Sequence, residues 1–163
     1  PIFLSRNLKN CPHKLRESAY VAMCRSVLEY ASVVWDPHTQ SDMDLIERVQ
    51  RKAARFVYKD YRQRSSVTTM LKALNWEPLS DRRKNARLIL FYQIVNNLIA
   101  IPCDNEFLTP GTRGRYKHLS YNTKWYSYTY FPQTIRDWNS LPTELKSSPS
   151  LAVFKSRLTS TSY

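Results

Sequence analysis

Apolar residues recur at three- and four-residue steps along most of the chain, a rhythm that predicts a mostly α-helical protein. From Pro12, a residue suited to a first helical turn, Leu15, Ala19, Ala22, Met23, Val27, Tyr30, Ala31 and Val34 keep this spacing until Asp36-Pro37 interrupts it. They predict one long helix with that stripe turned inward. A second helix is expected over about 42–59, opened by Ser41 and Asp44 as a shortened capping box. Ser65 or Ser66 opens a third through Leu74, with Met70, Leu71 and Leu74 inward and Trp76 and Pro78 closing it. Ser80 opens a fourth, DRRKNAR followed by LILFYQIVNNLIA, whose periodic face is Phe91, Ile94, Val95 and Leu98.

Beyond Pro102 the pattern changes. Residues 103–131 hold both glycines, Gly111 and Gly114, few aliphatics and many aromatics. This composition predicts a loop with a short hairpin, Tyr126, Tyr128 and Tyr130 alternating onto one strand face. Short helices over 132–139 and 150–158 are expected to close the chain. The predicted organisation is thus a helical domain over 1–101 and a C-terminal extension, with an aromatic-rich segment and short helices, over 102–163.

Charge singles out the second helix. At about 100° per residue, Leu45, Ile46, Val49, Ala53, Phe56 and Val57 fall on one side, while Arg48, Arg51, Lys52, Arg55, Lys59 and Arg62 cluster on another. The whole chain of 163 residues carries 25 Lys+Arg against 13 Asp+Glu, a net charge of +12. Such an excess favours polyanions through counterion release, or an anionic membrane surface. The excess is spread along the chain, but 48–64 holds seven basic residues against Asp60 alone. The fourth helix starts with Arg82, Arg83, Lys84 and Arg87, where cations oppose the helix dipole. That placement points to a task beyond local stability, either on a polyanion or in pairing with Asp81, Glu77 or another domain.

A basic stripe on an amphipathic helix is also what an ordinary solvated face looks like, so candidate chemistry has to be weighed elsewhere. With glycine only at 111 and 114, no P-loop, GxGxxG turn or GxSxG elbow can be built. Cys11, Cys24 and Cys103 contain no CxxC pair, and His13, His38 and His118 are isolated from one another, so neither a disulfide framework nor a zinc site is expected. No signal pattern or bilayer-length apolar run occurs, and the expectation is a soluble intracellular protein with no membrane partner. Because the chain begins at Pro1 and Ile2, Phe3 and Leu4 read as the tail of an earlier element, a longer parent is expected. The aromatic stretch offers a second surface. Arg113, Arg115, Lys124, Trp125 and Tyr126 combine cations with rings able to stack unpaired bases, while Phe131 and Trp138 suit a small core.

LEYASVVWDPHTQ (28–40), ERVQRKAARFVYKDY (47–61), SSVTTMLKALNWEPLSDRRKNARLILFYQIVN (65–96), FPQTIRDWNSLP (131–142) and LAVFKSRL (151–158) resemble, in order and spacing, the C-terminal region of non-LTR, LINE-type, jockey-like retrotransposon reverse transcriptases. The likeness covers roughly Leu4 to Leu158. It implies a helical, thumb-like bundle downstream of the fingers and palm, followed by a carboxy-terminal extension. It further implies RNA and DNA template-primer as partners in target-primed reverse transcription, with nucleus and cytoplasm as the setting of an active element. The parent polymerase would use Mg2+ on aspartates upstream of Pro1, and no cofactor is expected in this segment. Tyr58-Lys59-Asp60-Tyr61 is superficially similar to the polymerase Tyr-x-Asp-Asp turn but lacks the second aspartate. A two-metal centre requires at least two converging carboxylates, so the segment alone is expected to be inactive. Gln133 stands where relatives often carry arginine, whereas Trp138-Asn139 and Leu141-Pro142 keep the pattern. The alternative expectation is a decayed retroelement remnant or a helical protein-protein interaction module.

Overall fold

The computed structural model of the chain describes residues 2–101, 108–118, 120 and 123–160. The chain is mostly α-helical, in the order α1 (Ile2–Asn7), α2 (His13–Tyr20), α3 (Ser26–Glu29), α4 (Ser32–Trp35), α5 (Gln40–Tyr58), α6 (Val67–Ala73), α7 (Leu79–Val95), α8 (Tyr130–Ser140), α9 (Thr143–Lys146) and α10 (Leu151–Ser160). Among the described residues there is one isolated β-bridge, Pro110 to Tyr116, and no strand. The hairpin expected around Tyr126 is instead a single 3-10 turn, Tyr126–Tyr128, and Tyr130 already belongs to α8. Tyr121 and Cys103 lie outside the described residues. No helix among the described residues is long and apolar enough to cross a membrane.

Two compact units divide the chain, residues 1–83 and 84–163. The division lies well before the expected one at 101, and falls inside α7. The reason is packing: Leu88, Phe91 and Tyr92 of α7 join Ile135, Trp138, Phe154 and Leu158 in the second unit's core. Tyr92 stacks on Phe154 with ring centroids 4.5 Å apart, and its hydroxyl donates to the Ser148 carbonyl at 2.7 Å. Trp138 is buried, as its place in a small aromatic core predicts, and its indole N–H donates to the Gly114 carbonyl at 3.0 Å. Asn139 next to it exchanges two hydrogen bonds with the Tyr116 backbone, at 2.9 and 2.8 Å. The Trp-Asn pair thus pins the 110–116 loop to α8.

In the first unit the expected long helix is interrupted. A π turn, Val21–Arg25, separates α2 from α3, and Ala31 adopts a left-handed conformation (φ 48°) before α4. The wider turn changes which face is buried. Arg16, Tyr20 and Ser32 are buried and Cys24 and Leu28 partly covered, a series at steps of four that a locally widened helix permits, while Ala19 and Val21 pack beside it against the core. The predicted stripe is correspondingly displaced: Leu15, Met23, Val27, Tyr30 and Val34 are exposed.

Helix α5 starts two residues earlier than the sequence signal suggests. Thr39 is its cap: the hydroxyl accepts from Asp42 N at 3.2 Å and donates to the Asp42 carboxylate at 2.6 Å, a reciprocal arrangement like the capping box. Three helix ends share one solution. Lys59, Asn75 and Asn97 are left-handed (φ 53°, 52° and 53°), and the next residue's N–H returns to a carbonyl five residues back: Asp60 to Arg55, Trp76 to Leu71, Leu98 to Gln93. This is Schellman geometry with side chains where glycine is usual.

Candidate nucleic-acid interface

Helix α5 buries Gln50, Ala53, Ala54, Phe56 and Val57. Its buried face is fixed by the first unit's core, which also contains Tyr20, Val67, Met70, Leu74 and Trp76. Gln50 is drawn in with them because its amide donates to the Glu77 carbonyl at 2.8 Å. With that face inward, 100° per residue turns positions 48, 51 and 52 to the opposite side. Arg48, Arg51, Lys52 and Lys59 are all exposed, and none forms a salt bridge among the described residues.

The remaining two cations of the stripe are occupied. Arg55 is half-buried and reaches past the helix end, its Nη1 donating to the Arg62 carbonyl at 2.8 Å. Arg62 forms a forked pair with Asp60, Nε to Oδ1 and Nη2 to Oδ2, both at 3.0 Å. Its guanidinium pKa is raised, first by that side-chain hydrogen bonding and then by the charge of Asp60.

Of the two roles expected for the arginines of α7, the structure shows pairing, with partners other than those expected. Arg82 pairs with Glu29 through two contacts, one of them Nη2 to Oε2 at 3.0 Å, and its pKa is raised by this hydrogen bonding. Arg83 is 1% exposed and donates from Nε to Asp36 at 2.6 Å. Its two terminal nitrogens are enclosed without a hydrogen-bond partner among the described residues, and desolvation lowers its pKa. Within the second unit, buried Arg87 pairs with Asp137 at 3.0 Å. All three guanidinia brace the fold, Arg83 and Arg87 from buried positions and Arg82 from a partly exposed one. The carboxylates that meet them are Glu29, Asp36 and Asp137 rather than Asp81 or Glu77.

In the aromatic segment, Trp125 is 72% exposed, Tyr126 is at the surface beside it, and Arg115 and Lys124 are exposed. Arg113 has its backbone in the Thr112–Gly114 turn, but its side chain lies outside the described residues. The structure therefore gathers Arg48, Arg51 and Lys52 on one exposed face of α5, places Lys59 at the left-handed residue just past the helix end, and separately sets Trp125 and Tyr126 beside Lys124.

Sequence reasoning missed Arg16 and Lys72. Arg16 is buried, and its Nη1 donates to the Phe56 carbonyl at 2.7 Å, placing a cation at the negative end of α5. No periodic signal marks it, because an arginine on a helix is ordinarily read as outward. Lys72 is exposed and lines a groove together with Arg48 and Arg51. Its signal was available: Thr68, Leu71 and Lys72 share one face of α6 at i, i+3 and i+4.

Comparison with protein-family models, curated proteins and solved structures returns no match.

Proposed function

We propose that this chain holds RNA and DNA by their phosphate backbones, without regard to sequence, as the helical accessory region of a non-LTR retrotransposon reverse transcriptase. In that reading it grips template-primer for fingers and palm upstream in a parent polyprotein, whose Mg2+-dependent chemistry supports target-primed reverse transcription in nucleus and cytoplasm. The observation that carries the reading is the exposed, unbridged set Arg48, Arg51 and Lys52 opposite the buried face of α5, with exposed Lys59 just past the helix end. Cations held on a rigid helix and not neutralised by neighbouring carboxylates suit phosphates spaced along a strand. The resemblance of 28–158 to the retrotransposon region supplies the biological setting.

The test is a salt titration of binding to a generic RNA–DNA duplex. Replacing Arg48, Arg51 and Lys52 together by glutamine should lower affinity and flatten the slope of log K against log salt by roughly 0.9 per lost phosphate contact. An unchanged slope rejects the reading.

A second reading, a protein-interaction module, is favoured by the exposed Met23, Val27, Tyr30, Val34 and Trp35. Apolar side chains gathered on one short segment are a feature of protein interfaces. Association through them would be insensitive to salt and to the three glutamine substitutions.

A further inference from the structure

Arg48 and Arg51 do more than face solvent, because they also form one wall of a groove. Asp44, Glu47, Arg48 and Arg51 repeat at i, i+3, i+4 and i+7 along α5, and Thr68, Leu71 and Lys72 face them from α6. The link from α6 to α7 closes the groove with Trp76 and Pro78, and the first turn of α7 adds Ser80. Its volume is about 650 Å³, within the roughly 300–1,000 Å³ of small-molecule sites.

The chemistry of the groove is divided. Leu71, Trp76 and Pro78 provide an apolar surface, and Trp76 is held by Tyr20, whose ring centroid is 4.6 Å away. Arg48, Arg51 and Lys72 supply three cations without a salt bridge among the described residues. The carboxylates are oriented from within: Glu47 accepts from the Ser80 backbone N–H at 3.0 Å, and one Asp44 oxygen accepts from the Gln40 amide at 2.9 Å. Each carboxylate retains further acceptor capacity.

An apolar surface beside cations fits a flat ring carrying a phosphate. A carboxylate beside such a phosphate is unfavourable by charge unless it accepts a hydrogen bond from the same ligand, and a ribose hydroxyl is a suitable donor. We propose that the α5–α6 groove seats one unpaired ribonucleotide of an RNA strand. Its base lies against Leu71 and Pro78, its phosphate meets Arg48, Arg51 and Lys72, and its 2′-hydroxyl donates to Asp44. This rests on the phosphate-binding reading and adds to it a seat for a base and a means of telling RNA from DNA.

The probe is adenosine 5′-monophosphate, titrated into the isotopically labelled full chain while the Leu71 methyl and Trp76 indole resonances are followed. Both should shift and saturate with AMP, and inorganic phosphate at equal ionic strength should leave the Leu71 methyl in place. Deoxy-AMP should bind about fivefold more weakly, a difference of one hydrogen bond, and Asp44→Ala, which leaves no acceptor there, should largely remove that preference. Thr68→Trp, at an exposed position on the groove wall, should block AMP while leaving duplex affinity and its salt slope intact. That last variant separates the two readings, since loss of AMP binding with an unchanged duplex slope concerns the base seat alone. The proposal is overturned if phosphate reproduces the AMP shifts, if Thr68→Trp binds AMP normally, if ribose and deoxyribose are bound alike, or if an acidic aromatic peptide saturates the groove where AMP does not.

Discussion

Arg55 and Arg62 are both basic and seven residues apart, yet they are joined, the Arg55 guanidinium donating to the Arg62 carbonyl at 2.8 Å. A cation here closes the negative end of α5 and orders the chain that follows. Arg55→Gln should therefore lower stability by about 1 kcal/mol, read as a fall in Tm, and change the salt slope of duplex binding less than Arg51→Gln does. Equal effects of the two on the slope would return Arg55 to the binding face.

The same turn predicts an acid-sensitive step. Asp60 accepts from the Arg62 side chain, from the Ser65 hydroxyl at 2.6 Å and from the Arg62 backbone N–H at 3.1 Å, and these hold its carboxyl well below the usual carboxylate range. Its folded pKa lies below the unfolded one, so the unfolded chain binds more protons between the two values and stability rises with pH there. The contribution is complete above about pH 3.9 and is lost as pH falls from there through the folded value. Thermal melts from pH 2 to 6 should show this limb in the wild type and a shallower one in Asp60→Asn.

Asp137→Asn should destabilise the second unit by about 1–3 kcal/mol, because it removes the charged acceptor that the buried Arg87 guanidinium meets at 3.0 Å. An apolar double replacement, Arg87→Met with Asp137→Leu, should cost clearly less than the single change. Denaturant midpoints of the three proteins provide the comparison, and a milder effect of Asp137→Asn than of the double variant contradicts it.

Trp125→Ala with Tyr126→Ala should weaken binding of single-stranded RNA while leaving helical circular dichroism unchanged, since both rings are at the surface. Each base unstacked corresponds to about 1–3 kcal/mol. Trp138→Ala, by contrast, should remove about 3–5 kcal/mol of stability, because the indole is enclosed by Phe91 and Phe154.

The sequence made some of this legible and hid the rest for identifiable reasons. Helix α5 was readable because its buried and basic positions separate cleanly by angle, and α8 and α10 because Pro132 and Ser150 mark where they lie. The first long stripe misled because a π turn alters the angle between successive turns, which a fixed period of 3.6 cannot register. Arg82, Arg83 and Arg87 looked like a basic patch because their carboxylates, Glu29, Asp36 and Asp137, lie about fifty residues away in sequence. Pairing at such separation is invisible to any local window. The fourth helix reads on through Leu98 in the sequence, whereas α7 stops at Val95 and Leu98 is exposed, because Asn97 takes the left-handed backbone that asparagine tolerates.

The partition at 83/84 runs through the uninterrupted α7. Domain borders elsewhere are commonly found in exposed connectors, where a protease or a recombination event can part the chain at little cost. Here a cut at the border would sever helical hydrogen bonds, and a fragment ending before Leu79 would strand Glu29 and Asp36 without Arg82 and Arg83. Neither unit can be trimmed at that point without breaking α7.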